Sequence, residues 1–344
     1  MRSTTRPTTA RCTLPKYMGF LISEPKSPTC TRFEEVTGIS HDSVNRFLHR
    51  ESYQPKDLFD EASQHLCLLG GTLSIDDSVL DKPYSHYIEL VSYFWSGKHH
   101  KTVKGLNLIS LYYTDPYGRH MPVNYRVYDK SQGMTKNDYF REMLSEVLQW
   151  GIEPAFVTGD SWYSSVKNLK TIKHHQTGFM FAIEQNRKLS LEKGKWQQAQ
   201  SLDVPDDGLE AWLKDFGKVK LFRTTLKNQH RYYVVYLPEE KLFQGPDFES
   251  IHKQHWQIEQ YHRAIKQICH IEHFQVRRER PIKNHIFASL LSFVYLQKMQ
   301  LEQEFINIYQ HQRELFKETV GVFIENFTKG KDQLLPKFVR VINA

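Results

Sequence analysis

Three stretches decide the fold: TLSIDDSV at residues 72–79, AFVTGD at 155–160 and HWQIEQYHRAIK at 255–266. The first two are apolar or β-branched runs near glycine, and they predict strands that carry or end in aspartate. The third has its charged residues at helical spacing, so it predicts a helix with one acidic and basic side. The pattern therefore indicates acidic side chains on two strands and on a much later helix.

The segments around these stretches predict a mixed α/β core. Two further strands are expected at GLNLISLYYTD, residues 105–115, and HMPVNYRVYD, residues 120–129. Helices are expected over 137–151 and 165–174, and a strand over 178–185, because the apolar spacing changes between the helical and the strand period. The order β-β-β-α-β-α-β is typical of a sheet flanked by helices. If the first strand is central and the fourth lies beside it, their aspartates emerge close together.

Four regions are expected along the chain. Residues 1–70 are expected to form an N-terminal helical region, and residues 71–185 are expected to form the first part of the α/β core. Lysine-rich and glutamine-rich residues 186–246, with a hairpin turn over 227–229, predict a β-rich insertion. Residues 247–344 provide the core helix and a C-terminal helical tail.

A helix-turn-helix pattern lies within residues 29–51. A short helix around Phe33 breaks at Gly38, and a second helix begins after Ser40, which can cap it. In DNA-binding motifs of this kind the second helix enters the major groove, which makes Arg46 a candidate DNA contact. An ordinary helical hairpin packed on the core explains the same residues equally well.

Composition excludes several classes of protein. The 344 residues carry a formal charge of +7 with a pI near 9.0, which favours a polyanionic partner. The four cysteines form no CxxC pair, and no apolar run approaches the ~18 residues of a membrane span. Phosphate-binding GxxxxGK[ST] and dinucleotide-binding GxGxxG motifs are missing from the sequence. We expect a cytoplasmic, nucleoid-associated protein without a membrane partner.

Asp77, Asp160 and Glu259 are the candidate catalytic and metal-binding residues. Three carboxylates would hold Mg²⁺ or Mn²⁺, because hard cations prefer oxygen ligands. Two ions about 3.5–4 Å apart can activate an attacking oxygen and stabilise a leaving one. Asp76 is the alternative first carboxylate, and only one of these neighbours can face the metals because a strand alternates its faces. A solvated Glu259 paired with Arg263 is the simpler explanation of the helix.

The motifs IDDS, TGDSWY and WQIEQYHRAIK resemble those of insertion-sequence transposases with a Tyr-Arg-Glu-Lys signature, over about residues 73–298. Glu259 and Lys266 match the spacing of the signature's Glu and Lys. His252 and His255 stand where the signature has Tyr and Arg, and a protonated His255 would partly replace the arginine. Since the family's first Asp usually precedes Thr or Ser, the resemblance favours Asp77 over Asp76.

The resemblance implies a ribonuclease-H-like DDE enzyme that cuts and joins the ends of its own mobile element. It implies a homodimer on DNA whose partners are the terminal inverted repeats and the target DNA. Two rival functions remain open: a nuclease of the same fold that does not join strands, and an inactive or domesticated DNA-binding protein.

Further candidate DNA contacts surround the predicted carboxylates. Trp162 would stack on a flipped base, although packing in the core is the more common role of such a residue. Arg263 and Lys266 follow Glu259 on the same helix side, and Arg277 with Arg278 continues the basic stretch. Another basic run, residues 98–104, lies between the first two expected strands.

Overall fold

The computed structural model describes residues 11–192, 194–226, 229–239 and 242–328. Residues 1–10 of the N-terminal region and 329–344 of the C-terminal tail lie outside the described residues. Most of the turn expected over 227–229 lies outside them as well.

The described part of the chain contains four N-terminal helices, then strands interspersed with helices, and then three further helices. The first part contains α1 (Leu14–Ser23), α2 (Cys30–Thr37), α3 (His41–Arg50), α4 (Pro55–Ala62), β1 (Thr72–Asp81), β2 (Ser92–Ser96), β3 (Lys101–Thr114), β4 (His120–Val127), α5 (Lys136–Gln149), β5 (Phe156–Gly159), α6 (Val166–His174) and β6 (Gly178–Ile183). The second part contains β7 (Lys188–Ser190), β8 (Trp196–Gln198), β9 (Leu209–Leu213), β10 (Gly217–Leu226), β11 (Gln229–Tyr236), α7 (Gly245–Gln267), α8 (Glu279–Leu301) and α9 (Ile308–Thr328).

Strand β1 lies at the centre of a mixed sheet. It pairs antiparallel with β3 and parallel with β5, while β3 also pairs with β4 and β5 pairs parallel with β6. The core order is therefore β4-β3-β1-β5-β6. This arrangement confirms the expected mixed α/β fold and places the first aspartate-bearing strand beside the next one.

The strands within 186–246 continue the same sheet at its β6 edge. Strand β11 pairs antiparallel with β6, and β10, β9, β7 and β8 follow outward in that order. The chain returns from this extension through α7, so the β-rich segment stands between the second aspartate and the helix that carries Glu259.

The two faces of the sheet are covered by different helices. Leu73 and Ile75 of β1 belong to an apolar cluster with residues of α5 and α6. Leu80 lies five residues after Ile75 on the opposite face of the strand, and it belongs to a cluster with residues of α7 and α8. A strand alternates its side chains, so odd-numbered residues of this part of β1 face α5 and even-numbered ones face α7.

The N-terminal helices pack on α8, in which 15 of the 23 residues are buried. The Asn284 side chain donates to the carbonyls of Leu48 and Glu51, at 2.7 Å each, and Tyr17 is hydrogen-bonded to His285 Nδ1 at 2.8 Å. These bonds connect the N-terminal helices to α8. The apolar sides of α1 and α3 are buried in the same contact.

The expected helix-turn-helix segment forms helices α2 and α3. Helix α2 ends at Gly38, whose positive φ of 70° is a backbone conformation that glycine adopts easily. Helix α3 buries Val44, Phe47 and Leu48 and leaves Arg46 exposed. Among the described residues no helix has both the length and the apolar character that crossing a bilayer requires.

Candidate active site

Two of the acidic residues lie side by side where β1 and β5 stop pairing. The last matched pair of these parallel strands is Ile75 and Gly159. Asp76 and Asp160 are the next residues of the two strands. Since parallel strands advance together, both carboxylates emerge at the same end of the sheet.

Helix α7 runs along β1 in the same direction. The Thr72 hydroxyl is hydrogen-bonded to Gln254 near the start of the contact, and Lys266 Nζ donates to the Val79 carbonyl at 2.6 Å at its end. The helix advances about 18 Å over these twelve residues, and the strand advances about 23 Å over seven. Helix α7 and strand β1 therefore run side by side over the whole site.

Polar contacts fix the middle of α7 over the two strands. Thr158 of β5 is hydrogen-bonded to Ser74 at 2.9 Å and to His255 Nδ1 at 3.1 Å. One helical turn beyond Glu259, His262 Nδ1 lies 3.4 Å from Asp76 Oδ2. Glu259 stands between these two histidines in sequence, so the helix presents it to the Asp76 side of the sheet.

The pKa shifts of the carboxyls show that they share one electrostatic environment. Desolvation and then the charge of Asp76 raise the pKa of Glu259. Desolvation, followed by the charges of Asp76 and Asp77, raises the pKa of Asp160. Burial acts to raise the pKa of Asp76, but the hydrogen bond and charge of His262 outweigh it and lower that pKa. Negative charge is thus concentrated where the three chain segments meet.

Asp160 also orders the turn that follows it. Its Oδ1 accepts hydrogen bonds from the backbone N–H of Trp162 at 3.0 Å and of Tyr163 at 3.4 Å. These bonds fix one carboxyl oxygen and the direction of the chain, and they leave Oδ2 for other partners.

Asp77 lies on the opposite face from Asp76. Its Oδ2 forms an ion pair with Lys136 Nζ at 2.7 Å and accepts from Asn107 Nδ2 at 2.5 Å. Its Oδ1 accepts from the Tyr163 hydroxyl at 2.9 Å. Both carboxyl oxygens of Asp77 are therefore already engaged on the α5 side. The expectation that Asp77 is the first carboxylate is not favoured by this geometry, because Asp76 shares its face with α7.

The fit of these residues to a divalent cation rests on donor chemistry. Asp76, Asp160 and Glu259 offer oxygen ligands, and a cation between them would offset the desolvation and the mutual repulsion that raise the pKa values of Asp160 and Glu259. As they stand, the described residues contain no group of three or more His, Cys, Asp or Glu side chains arranged to hold a metal ion.

The predicted DNA contacts are mostly exposed. Trp162 is 62% exposed, which does not fit the alternative of core packing, and Lys136 Nζ lies 5.4 Å from the centre of its ring. Arg263, Arg277 and Arg46 are exposed on three separate segments. Arg278 is exposed but pairs with Glu89 at 2.8 Å.

Lys266 and the two histidines at the signature positions have internal partners. Besides the Val79 carbonyl, Lys266 contacts Glu272 at 3.2 Å. His252 is hydrogen-bonded to the Tyr233 hydroxyl at 3.0 Å. Desolvation lowers the pKa of His255 to about 4, so its imidazole is neutral near pH 7. His255 therefore does not supply the positive charge that would replace an arginine.

Several residues of the site were not singled out by the sequence: Asn107, Lys136, Thr158 and His262. They act by contacting the acidic residues or the segments that carry them. The sequence does contain one signal for the face that each aspartate of β1 occupies. Asp77 alternates in phase with apolar Leu73 and Ile75, and Asp76 alternates in phase with Ser74 and Ser78. That alternation assigns Asp77 to the apolar face and Asp76 to the polar one.

The architecture and the meeting of acidic residues at β1, β5 and α7 define a ribonuclease-H-like fold. The family model described as "Transposase DDE domain" matches residues 71–295. The chain belongs to this family of DNA-cutting and DNA-joining enzymes, which generally depend on divalent metal ions. The chain is a transposase.

A solved structure shows the same fold at low sequence identity. The piggyBac transposase synaptic complex with hairpin DNA aligns with a TM-score of 0.53 and 14% identity, covering 99% of this chain and 80% of that one. The Drosophila P element transposase strand transfer complex aligns with a TM-score of 0.29 and 10% identity, covering 56% and 48%. No curated protein matches the chain in sequence.

Proposed function

We propose that Asp76, Asp160 and Glu259 are the three catalytic carboxylates with which this transposase cuts and rejoins DNA at the ends of its own element. The observation that carries the proposal is the register of β1, β5 and α7. It brings Asp76 beside Asp160 and presents Glu259 to the same face. In this proposal Asp76 takes the role that the sequence predicted for Asp77, and Asp77 supports the site through its contacts with Lys136 and Tyr163.

These carboxylates would hold one or two Mg²⁺ or Mn²⁺ ions, which supply Lewis-acid activation of the attacking oxygen and stabilisation of the leaving one. The residues of the chain position that chemistry. Tyr163 connects Asp77 on β1 to the turn that Asp160 caps, so the two strand ends keep their spacing. His262 orients Asp76 from α7.

The basic residues beside the carboxylates fit the phosphates of a DNA substrate. Arg263 follows Glu259 by one helical turn and is exposed, so it can reach a backbone phosphate next to the cut. Trp162, exposed beside Asp160, fits a base stacked at the same place. Arg46, Arg277 and Arg278 would extend the contact along the duplex. Lys266 has a different role in this proposal, because its contacts with Val79 and Glu272 fix α7 to β1.

The finer features implied by the resemblance remain proposals. Membership of the Tyr-Arg-Glu-Lys group rests on the spacing of Glu259 and Lys266, with histidines at the other two positions. A homodimer on DNA would let two element ends be joined in one complex, and the basic charge would keep the protein at the nucleoid.

The test uses purified protein, Mg²⁺ or Mn²⁺, and DNA that carries the sequences flanking the gene. Wild type is compared with Asp160→Ala and Glu259→Ala for cleavage and strand joining. Glu249→Ala is the matched control, because Glu249 is an exposed glutamate on the same helix, ten residues before Glu259. We expect metal-dependent cutting and joining by wild type and the control, and loss of both activities in the two site variants.

Other outcomes would point elsewhere. Cutting without joining would favour a nuclease of the same fold. Sequence-specific binding without any metal-dependent cutting would favour an inactive DNA-binding descendant, and equal activity in all variants would remove the carboxylates from the mechanism.

A further inference from the structure

The hairpin formed by β2 and β3 extends beyond the site. Strand β1 pairs with β3 only as far as Asp81 and Gly105, and the next residues of β3 pair with β2 instead. A turn at residues 97–100 closes the hairpin. From Asp76 to this turn the strands advance on the order of 30 Å. The hairpin thus projects from the end of the sheet at which Asp76 and Asp160 emerge.

Two large aromatic side chains of this hairpin face the solvent. Tyr93 is 62% exposed and Trp95 is 66% exposed, whereas Phe94 between them is buried. Phe94 packs near Tyr128, with ring centres 5.9 Å apart, and Lys130 donates to the Tyr93 carbonyl at 2.7 Å. Contacts on the other side therefore anchor the hairpin, and the fold gains little from exposing Tyr93 and Trp95.

The exposed aromatics lie on the same face of the sheet as Asp76. Antiparallel partners share a face, and Leu80 pairs with Leu106. Lys104 precedes Leu106 by two residues and pairs with Tyr93, while Trp95 pairs with Thr102. Since Asp76 and Leu80 also share a face, the register places Tyr93 and Trp95 on the Asp76 side. We call the surface made by Tyr93, Trp95, Thr102 and Lys104 the aromatic face.

Positive charge surrounds the aromatic face. Lys98, His99, His100 and Lys101 occupy the tip of the hairpin and are exposed. The nearby carboxylate Asp81 is contacted by Lys98 at 3.7 Å and by His99 at 2.8 Å. Lys101 forms no ion pair with a described residue, and Lys104 donates one hydrogen bond to the Ser85 carbonyl. This positive charge favours binding of a polyanion over binding of an apolar protein surface.

The spacing of the two rings suits a nucleic-acid base. Residues two apart on a strand are separated by about 6.6–6.8 Å, and stacked bases are about 3.4 Å apart along one strand. Two flanking rings at this separation leave room for one base between them. Paired bases inside a duplex do not offer such a free face, whereas unpaired bases do.

We propose that the aromatic face binds unpaired bases of DNA next to the cut, with Tyr93 and Trp95 stacking on them and Lys101 and Lys104 contacting the phosphates. This inference rests on the proposed function, because it assigns the hairpin to the DNA on which the carboxylates act. It differs from the role of Trp162, which lies beside Asp160 in the short helical turn that follows β5.

The test measures binding, not cutting. The full chain carrying Asp160→Ala is titrated, by fluorescence anisotropy, with a blunt DNA duplex and with the same duplex bearing an unpaired thymidine extension. Tyr93→Ala/Trp95→Ala is expected to weaken binding of the extended probe by at least about fivefold, because stacking contributes about 1–3 kcal/mol per base. Binding of the blunt duplex is expected to stay the same. Tyr93→Phe/Trp95→Phe keeps both rings and is expected to restore the affinity.

The matched control is Tyr117→Ala/Trp212→Ala. It removes the same two residue types from exposed positions, Tyr117 on the β3–β4 turn and Trp212 on β9, away from the hairpin. Both probes should bind this control as tightly as the parent protein. Circular dichroism of each variant verifies that the fold is retained.

Three results would overturn the inference. The parent protein would bind both probes equally, or the hairpin variant would lose affinity no more than the control. Alternatively, the hairpin variant would change the oligomeric state without changing the affinity for the extension, which would make the aromatic face an interface between copies. Failure of the flanking DNA to be cut would refute the proposed function alone, since binding of unpaired bases is measured here without cutting.

Discussion

The two faces of β1 place adjacent aspartates in opposite surroundings. On the α5 face, Asp77 lies in phase with Leu73 and Ile75, and Lys136 neutralises it. On the α7 face, Asp76 lies in phase with Ser74 and approaches Asp160 and Glu259, which adds negative charge to negative charge. A one-residue step along the strand thus separates a carboxylate that supports the structure from one that is available for chemistry.

The largest effect should separate Asp76→Ala from Asp77→Ala in the DNA cleavage assay. Loss of a metal-binding carboxylate is expected to lower the rate by about 1,000-fold or more, because metal assistance contributes several kcal/mol to the transition state. Loss of a residue that only supports the site is expected to cost about 10-fold to 100-fold. A larger loss for Asp77→Ala would assign Asp77 as the catalytic residue and reverse the comparison.

Stability should show the reverse order. Asp77→Asn leaves Lys136 half-buried without its anionic partner, and we expect a loss of about 2 kcal/mol in the free energy of unfolding. Asp76→Asn breaks no such ion pair with lysine or arginine and should cost less. Urea unfolding followed by circular dichroism provides the measurement.

The matching control for this stability effect is the double variant Asp77→Asn/Lys136→Met, which removes both charges. It should recover part of the loss. If Asp77→Asn and Asp76→Asn are equally stable, the Lys136 ion pair contributes nothing to the free energy of unfolding. The expected difference in stability between the two faces of β1 would then be wrong.

Metal ions should stabilise the α7 face of the sheet because they offset the repulsion between its carboxylates. Asp160→Asn keeps an oxygen for capping the following turn but removes one negative charge, so its melting temperature without metal is expected to exceed that of wild type by about 2 °C. Addition of Mg²⁺ should raise the melting temperature of wild type more than that of the variant. Equal metal effects, measured by differential scanning fluorimetry, would show that Asp160 binds no ion.

The smallest effect is expected for Thr158→Val, which keeps the shape of the side chain but removes the hydroxyl between Ser74 and His255. A loss of about 1 kcal/mol in stability is expected, together with a modest drop in cleavage as α7 docks less firmly. Thr171→Val is the control, because that hydroxyl bonds only within its own helix, to the Lys167 carbonyl. Equal losses in the two variants would deny the α7 contact any special role.

Much of the core was predictable because its signals are local. Apolar alternation in β1 and helical spacing around Glu259 predicted their elements, and the element order predicted a mixed sheet with β1 beside β5. Strand β2 was missed, since its residues Ser92–Ser96 form a strand through pairing with β3. In its described part, the helical tail expected after the core helix contains two helices, α8 and α9, with a break between Leu301 and Ile308.

The site was predictable only in part, because its contacts span the chain. Asp160 and Glu259 could be chosen by type and spacing, and they remain the proposed residues. The choice of Asp77 followed a family pattern of neighbouring residues, although the polar phase of Asp76 with Ser74 pointed to the other face. Lys136 and His262 could not be assigned from spacing, since folding alone brings them to β1.

The docking of the N-terminal helices on α8 has a consequence for synthesis on the ribosome. Tyr17 and its partner His285 are 268 residues apart. At about 5–20 residues per second, the ribosome needs tens of seconds to make the second after the first. During that interval the apolar sides of α1 and α3 lack their cover, which makes the nascent chain a client for chaperones. Because α7 is made about 100 residues after Asp160, an incomplete chain carries Asp76 and Asp160 without Glu259, and under the proposed function such a chain cannot yet cut DNA.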